Sequence, residues 1–298
     1  MYLVGQNDRP NLKSSTRAQS YISRLDHFPL TPPVAAAIEQ ILLDSNRHSD
    51  FVDLMNCDPL LMANLLRNAR SPLSTRTVHP DRMDPAVDSL LRALLLSWTL
   101  EARELRPEQQ VTMVHFAQHS LRTAVICREI AMQVSPALEV SAYRAGLLHD
   151  LGKALLLQLN WQQVAQLYKG TLQSGGTIYQ GELLAWDYTH AHAGQWLLET
   201  WQLSRDVVIA VGAHHQPELI TEKDEEIVRL AYMVHLADYL DQHSAGVIHD
   251  PVAEPLDDKV WEVIDMNPSA LNQLIKSAEV EISVRMTQSE KLWHNREL

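Results

Sequence analysis

The chain is poor in the features that mark several large protein classes. Its two cysteines, Cys57 and Cys127, stand in unrelated helical contexts. They are too few and too scattered for a disulfide framework or a thiolate metal site, and read as small buried hydrophobes in a reducing, cytoplasmic setting. Only ten glycines and three phenylalanines are present, which favours helical layers over a turn-rich β architecture. Basic runs are missing too, and the formal net charge is −12. That balance argues against a nucleic-acid duplex or an anionic membrane as partner, because both recruit basic faces. No uninterrupted apolar stretch reaches membrane-spanning length, and the first ten residues lack the charged start and apolar core of a secretory signal. What the chain does have is 46% hydrophobic residues over 298 positions, enough to bury the core of one large domain or two ordinary ones.

Helical periodicity runs through most of it. After a polar start to about residue 20, Phe28-Pro-Leu-Thr-Pro-Pro33 is an extended entry, since prolines restrict the residues before them. Val34, Ile38, Ile41 and Leu42 then recur at amphipathic spacing behind Pro33, a favoured early helix position. A short helix is expected from Ser49, another from Asp58-Pro59 with Leu61, Leu65 and Leu66 inward, and a third from Ala86 to about Leu105. The stretch from Arg70 to Met83 is rich in turn residues. In the second half, helices are expected over Val111–Val134, Val140–Leu159, Trp161–Leu172, Tyr179–Trp186, from His190, up to Ala213, over Glu225–Tyr239, near Val260 and over Leu271–Val284. Trp161, Trp186, Trp196 and Trp201 read as core.

Gly146-Leu-Leu-His-Asp-Leu-Gly-Lys153 interrupts this apolar pattern with an imidazole, a carboxylate and an ammonium. His149, Asp150 and Lys153 lie within one helical turn, so all three can face one side. His119, His190, His214, His215 and Asp238 also fall near helix ends or on apolar faces of the second half. Imidazole and carboxylate suit borderline and hard divalent ions such as Fe, Mn, Ni or Zn. This donor set exceeds one tetrahedral ion and fits two ions that share a carboxylate, an arrangement able to polarise a phosphoryl group and activate water. An ammonium at Lys153 would hold a phosphate oxygen. Each residue also has a blander reading. A lone helix histidine is usually solvated or hydrogen-bonded in the core, and His214 with His215 could simply cap a helix C-terminus. His192 reads as a solvated neighbour of His190 on a different face. His235 is given no role.

The order His119, His149-Asp150, Asp238 resembles the pattern of the HD-domain metal-dependent phosphohydrolases. Together with Phe28-Pro-Leu-Thr-Pro-Pro33, Cys57-Asp-Pro-Leu-Leu-Met-Ala-Asn-Leu-Leu-Arg67 and Asp187-Tyr-Thr-His-Ala-His-Ala-Gly194, it is similar to the HDOD family, the HD-related output domain of bacterial signalling proteins, over roughly residues 20 to 245. His190 and His214-His215 resemble the additional ligands of the HD-GYP phosphodiesterases, and Lys153 their phosphate-contacting lysine. Gln216-Pro-Glu-Leu-Ile220 stands where that branch has its Gly-Tyr-Pro signature.

The resemblance implies an all-α fold, an N-terminal helical subdomain packed on an HD-type helical bundle. The expected division is a flexible N-terminus (1–20), the helical HDOD subdomain (21–106), a metal-binding helical subdomain (107–250) and a helical extension (251–298). The metal set would be His119, His149, Asp150, His190, His214, His215 and Asp238, holding one or two divalent ions, with Asp150 and Lys153 in catalytic roles on a nucleotide or other phosphoester. The rival is a non-catalytic signalling scaffold, with a structural or vestigial metal site and N-terminal helices that bind a partner protein.

Overall fold

The structure, a computed structural model, describes residues 12–43, 48–68, 85–102, 104–243 and 255–294. Every regular element among them is helical, as the sequence predicts. The turn-rich stretch after Arg70 falls outside the described residues. The chain divides into two compact units, one formed by Met1–Leu25 with His119–Ile282, the other by Asp26–Gln118 with Ser283–Leu298.

The first helix, α1 (Leu12–Ile22), belongs to the unit that holds His119. A frayed tail to residue 20 was the expectation. Instead Ala18 and Ile22 are buried, four apart on one face. Next come α2 (Pro32–Leu43), α3 (His48–Cys57), α4 (Pro59–Asn68) and α5 (Pro85–Ala102) in the other unit. There α2 packs on α5 and on α3, and α3 on α4. Phe28, Leu30, Ile38, Leu54, Leu60, Leu61 and Trp98 are its fully buried large side chains. Leu65 and Leu66 are only half-buried, because the inner face of α4 runs through Leu60, Leu61, Ala63 and Asn64. Asn64 accepts from Phe28 N at 2.7 Å and donates to Phe28 O at 2.9 Å, so one buried amide satisfies both backbone groups of the extended entry.

The division falls within α6 (Pro107–Val134), after Gln118. The motif helix expected over Val140–Leu159 is two helices, α7 (Glu139–Leu148) and α8 (Leu151–Leu159), broken at His149-Asp150. Asp150 sits at φ −95°, ψ 7°, outside helical values, so the chain turns at the two residues that carry the chemistry. The rest follows as α9 (Trp161–Gln173), α10 (Ile178–Trp186), α11 (His190–Thr200), α12 (Arg205–Ala213), α13 (Glu225–Gln242), α14 (Val260–Val263) and α15 (Leu271–His294). Helix α11 packs between α8 and α12, α12 packs on α13 and α7, and α1 covers α11. Two crossings are tight enough to require glycine. A Cβ on Gly146 would lie 2.8 Å from Ala124 Cα, and one on Gly152 2.7 Å from Gly194 N. Only Trp201 of the four expected core tryptophans is buried; Trp161, Trp186 and Trp196 are half-buried. No described helix is long and apolar enough to cross a membrane.

Candidate metal centre

Five elements of one unit converge on a buried knot of imidazoles and carboxylates. The side chain of His119 comes from α6, His149 and Asp150 from the α7–α8 break, His190 from the first position of α11, His214 and His215 from the end of α12, and Asp238 from α13. His149, His190 and His214 are completely buried, with Asp150, Asp238 and His119 nearly so. Within 4.8 Å of one another lie donor atoms of Asp150, His190, His214 and His215, of His119, His149 and Asp150, and of His149, His214 and Asp238. All the residues expected as ligands are therefore gathered in one place.

Their orientation carries the chemical argument. The Nδ1 atom of His119 lies 2.8 Å from Asp241 Oδ2, that of His149 2.8 Å from Gly146 O, that of His190 2.7 Å from Glu182 Oε2, and that of His214 2.7 Å from Val211 O. Each partner is an acceptor, so each Nδ1 carries a proton and each ring turns its Nε2 inward, where that atom offers a lone pair whenever it is unprotonated. There the lone pairs meet carboxylates. His119 Nε2 is 3.2 Å from Asp238 Oδ1, 3.5 Å from Asp150 Oδ2 and 3.1 Å from His149 Nε2. On the other side His190 Nε2 is 3.2 Å and His214 Nε2 3.8 Å from Asp150 Oδ1, and His215 Nε2 is 2.8 Å from His190 Nε2. Asp150 thus turns one oxygen to each group of imidazoles. Its Oδ1 and His214 Nε2 are buried without a hydrogen bond. Acceptors facing acceptors in a dry interior are costly unless positive charge lies between them. A divalent ion fits that demand, and nitrogen and carboxylate donors suit it.

Protons meet the same demand in the metal-free protein. Burial lowers His119, but the hydrogen bonds and charges of Asp238 and Asp241 outweigh it and hold the ring up at about 10. Burial likewise opposes charge on His190, yet Glu182 and Asp150 hold it up at about 9. His214 and His215 go the other way, well below the usual imidazole value, through burial and neighbouring histidines. Burial would raise Asp150, but the Lys153 ammonium, followed by His149 and His190, keeps it well below the usual carboxylate range. Lys153 Nζ donates to Asp150 Oδ2 at 2.8 Å, and its side chain is 20% exposed, so the ammonium stands at the edge of the cluster.

Four participants escape the sequence reading. Asp241, completely buried, backs His119 and accepts from Arg122 Nε. It stands three residues after Asp238, a helical spacing that could have signalled it. Glu182, also completely buried, accepts from the backbone N–H and ring of His190 and from Tyr168 Oη; nothing in its local sequence marks it. His235, far from being without a role, is buried, donates from Nδ1 to His214 O at 2.8 Å and accepts from Asp257 N at 3.1 Å. His192 is buried rather than solvated, and accepts from Thr189 N at the start of α11.

The HDOD domain family model matches residues 28–217. No curated protein matches the chain in sequence. The fold is similar to that of the MmoQ response regulator from Methylococcus capsulatus, with 21% identity over 84% of this chain and 98% of that one, at a TM-score of 0.58. It is also similar to an HDOD domain protein of unknown function from Geobacter sulfurreducens, with 21% identity over 94% of this chain and 98% of that one, at a TM-score of 0.53. Likenesses at these identities speak for the fold. The family match, which covers more than half of the sequence and runs from Phe28 past His215, shows that this chain belongs to the HDOD domain family.

Proposed function

We propose that this chain is a bacterial signalling protein whose histidine-rich unit binds one or two divalent ions, Fe, Mn, Ni or Zn, and hydrolyses a phosphoester such as a nucleotide. The observation that carries the reading is the set of four imidazoles whose Nδ1 atoms are held by acceptors while their Nε2 atoms converge on Asp150 and Asp238. His119, His149 and Asp238 would hold one ion and His190, His214 and His215 the other, with Asp150 a ligand within reach of both sets. Bound there, the ions would polarise a phosphoryl group and supply the nucleophile at neutral pH. Lys153 would swing from Asp150 to a phosphate oxygen, its partial exposure leaving it room to do so. Gln216-Pro217 in place of a Gly-Tyr-Pro signature favours a phosphoester other than cyclic di-guanylate.

A second reading keeps the metal and drops the chemistry. The complete burial of His149, His190 and His214 suits a structural ion in a module that engages a signalling protein partner through its N-terminal helices. The test begins with elemental analysis of protein purified without a nickel column or chelator. One or two equivalents, lost in His149→Ala, support the centre. Hydrolysis of a generic phosphodiester by the loaded protein, abolished in Asp150→Ala, supports catalysis. Full loading with no hydrolysis of any nucleotide phosphoester decides for the structural ion.

A further inference from the structure

Each of the four inward-pointing imidazoles has a backing group, and these groups differ in charge. His149 and His214 are backed by backbone carbonyls, which are neutral. His119 is backed by Asp241, whose charge is shared with the Arg122 guanidinium. His190 is backed by Glu182, which has no Lys or Arg within ion-pair reach among the described residues; its one ionic neighbour is the imidazole itself. A carboxylate that is completely buried is costly unless positive charge lies close. Among the described residues such charge comes only through His190, from a proton on the ring or from an ion beyond it. Three bonds aim the carboxylate: Oε2 accepts from His190 N and faces His190 Nδ1, both at 2.7 Å, while Oε1 accepts from Tyr168 Oη. The backbone bond fixes the entry of α11, and the ring bond fixes the plane of the imidazole.

We propose that Glu182 is a positioning residue that sets the metal affinity of one half of the centre, the half formed by His190, His214 and His215. The proposal rests on the metal-centre reading above. An acceptor carboxylate on Nδ1 makes Nε2 a stronger donor and locks the ring toward the ion. Because no Lys or Arg among the described residues pairs with Glu182, its charge acts on His190, and the half of the centre backed by Asp241 and Arg122 is left less electron-rich. The two halves are then inequivalent, although each contains one carboxylate-backed ring and one carbonyl-backed ring.

The test uses the full chain, stripped of metal and titrated with Zn²⁺ against a competing chelator, then with Co²⁺ for spectroscopy. Glu182→Gln keeps an oxygen to accept from His190 N and Nδ1 and removes the charge, so a purely structural anchor survives it. One equivalent should weaken about 10–100-fold while the other is unchanged. The exchangeable Nδ1 proton resonance of His190 in the Co²⁺ form should move. The loss should persist on a His119→Ala background and vanish on His214→Ala, since coupled residues are not additive. Glu182→Asp, which keeps the charge on a shorter arm, should fall between wild type and E182Q, and it decides the matter if E182Q does not fold. Unchanged affinities in the folded variant, or an equal loss in both halves tracking a loss of metal-free thermal stability, overturn the proposal. A wild-type protein that takes up no metal overturns the centre itself and this proposal with it; retention of metal in the wild type keeps the two failures distinct.

Discussion

Replacing Gly152 with alanine tests whether the α8–α11 crossing sets the geometry of the histidine cluster. Gly152 is the second residue of α8, two after Asp150, and it crosses α11 beside His190 and Gly194. An added Cβ would lie 2.7 Å from Gly194 N and closer still to the His190 carbonyl oxygen. Both are backbone atoms and cannot rotate away. Restoring an ordinary contact requires the helices to part by more than about 1 Å, and overpacking of this kind typically costs about 1–3 kcal/mol. For a chain of this size that corresponds to a fall of about 2–5 °C in Tm. The same movement stretches the 3.2 Å approach of His190 Nε2 to Asp150 Oδ1, so metal affinity should fall at least tenfold, by about 1.4 kcal/mol. Differential scanning calorimetry with and without Zn²⁺, together with elemental analysis, reads both effects. Gly170→Ala is the control: it sits in α9 with nothing within 4 Å of the new Cβ and should stabilise by about 0.4–1 kcal/mol. Gly152→Ala with wild-type Tm and full metal content would refute the reasoning, since the crossing would then have slack that the backbone distances deny.

Three further outcomes follow from particular contacts. Asp58 is completely buried and accepts from Leu61 N at 2.7 Å while its other oxygen has no hydrogen bond; burial raises it to about 6 despite the bonds from Leu61 and Leu60. A carboxyl raised on folding binds its proton more tightly in the native state, so its contribution is lost as pH climbs from about 4 to about 6, by up to about 3 kcal/mol. Asp58→Asn keeps the cap oxygen and should gain stability relative to wild type across that window; a difference that stays constant in urea titrations at pH 4 and pH 7 counts against it. Asn64→Ala removes both buried bonds to Phe28 and should cost about 2–4 kcal/mol, measurable by urea denaturation; a cost below about 1 kcal/mol would mean the entry segment re-pairs elsewhere. Chelation should lower Tm, because an ion at about 100 times its Kd adds about 2.7 kcal/mol; His149→Ala, already lacking the ion, should show no such shift.

How much of this was legible beforehand depends on how local each cause is. Helical periodicity arises within a few residues, so the all-α class and nearly every helix of the second half could be read directly. The His149-Asp150 pair stood out because no packing demand places two polar groups after Gly146-Leu-Leu. The grouping of His119, His190, His214, His215 and Asp238 with them came from their places near helix ends or on apolar faces, joined by resemblance to a family pattern. Where local cause ran out, so did the reading. Helix α1 looked like a polar tail because only its contact with α11 gives Ala18 and Ile22 something to bury against.

The sequence by itself determined the chemistry on offer: which side chains carry imidazole, carboxylate and ammonium, and on which helices they ride. Tertiary structure alone decided how they are aimed. The break between α7 and α8 turns Asp150 so that one oxygen faces each group of imidazoles. Asp241 reaches His119 across 122 residues of chain, and Glu182 reaches His190 from a neighbouring helix. An imidazole has two nitrogens, and which of them is free depends on what the other one meets. For His149 and His214 that partner is a carbonyl three residues back in the same helix; for His119 and His190 it arrives through packing, from another helix.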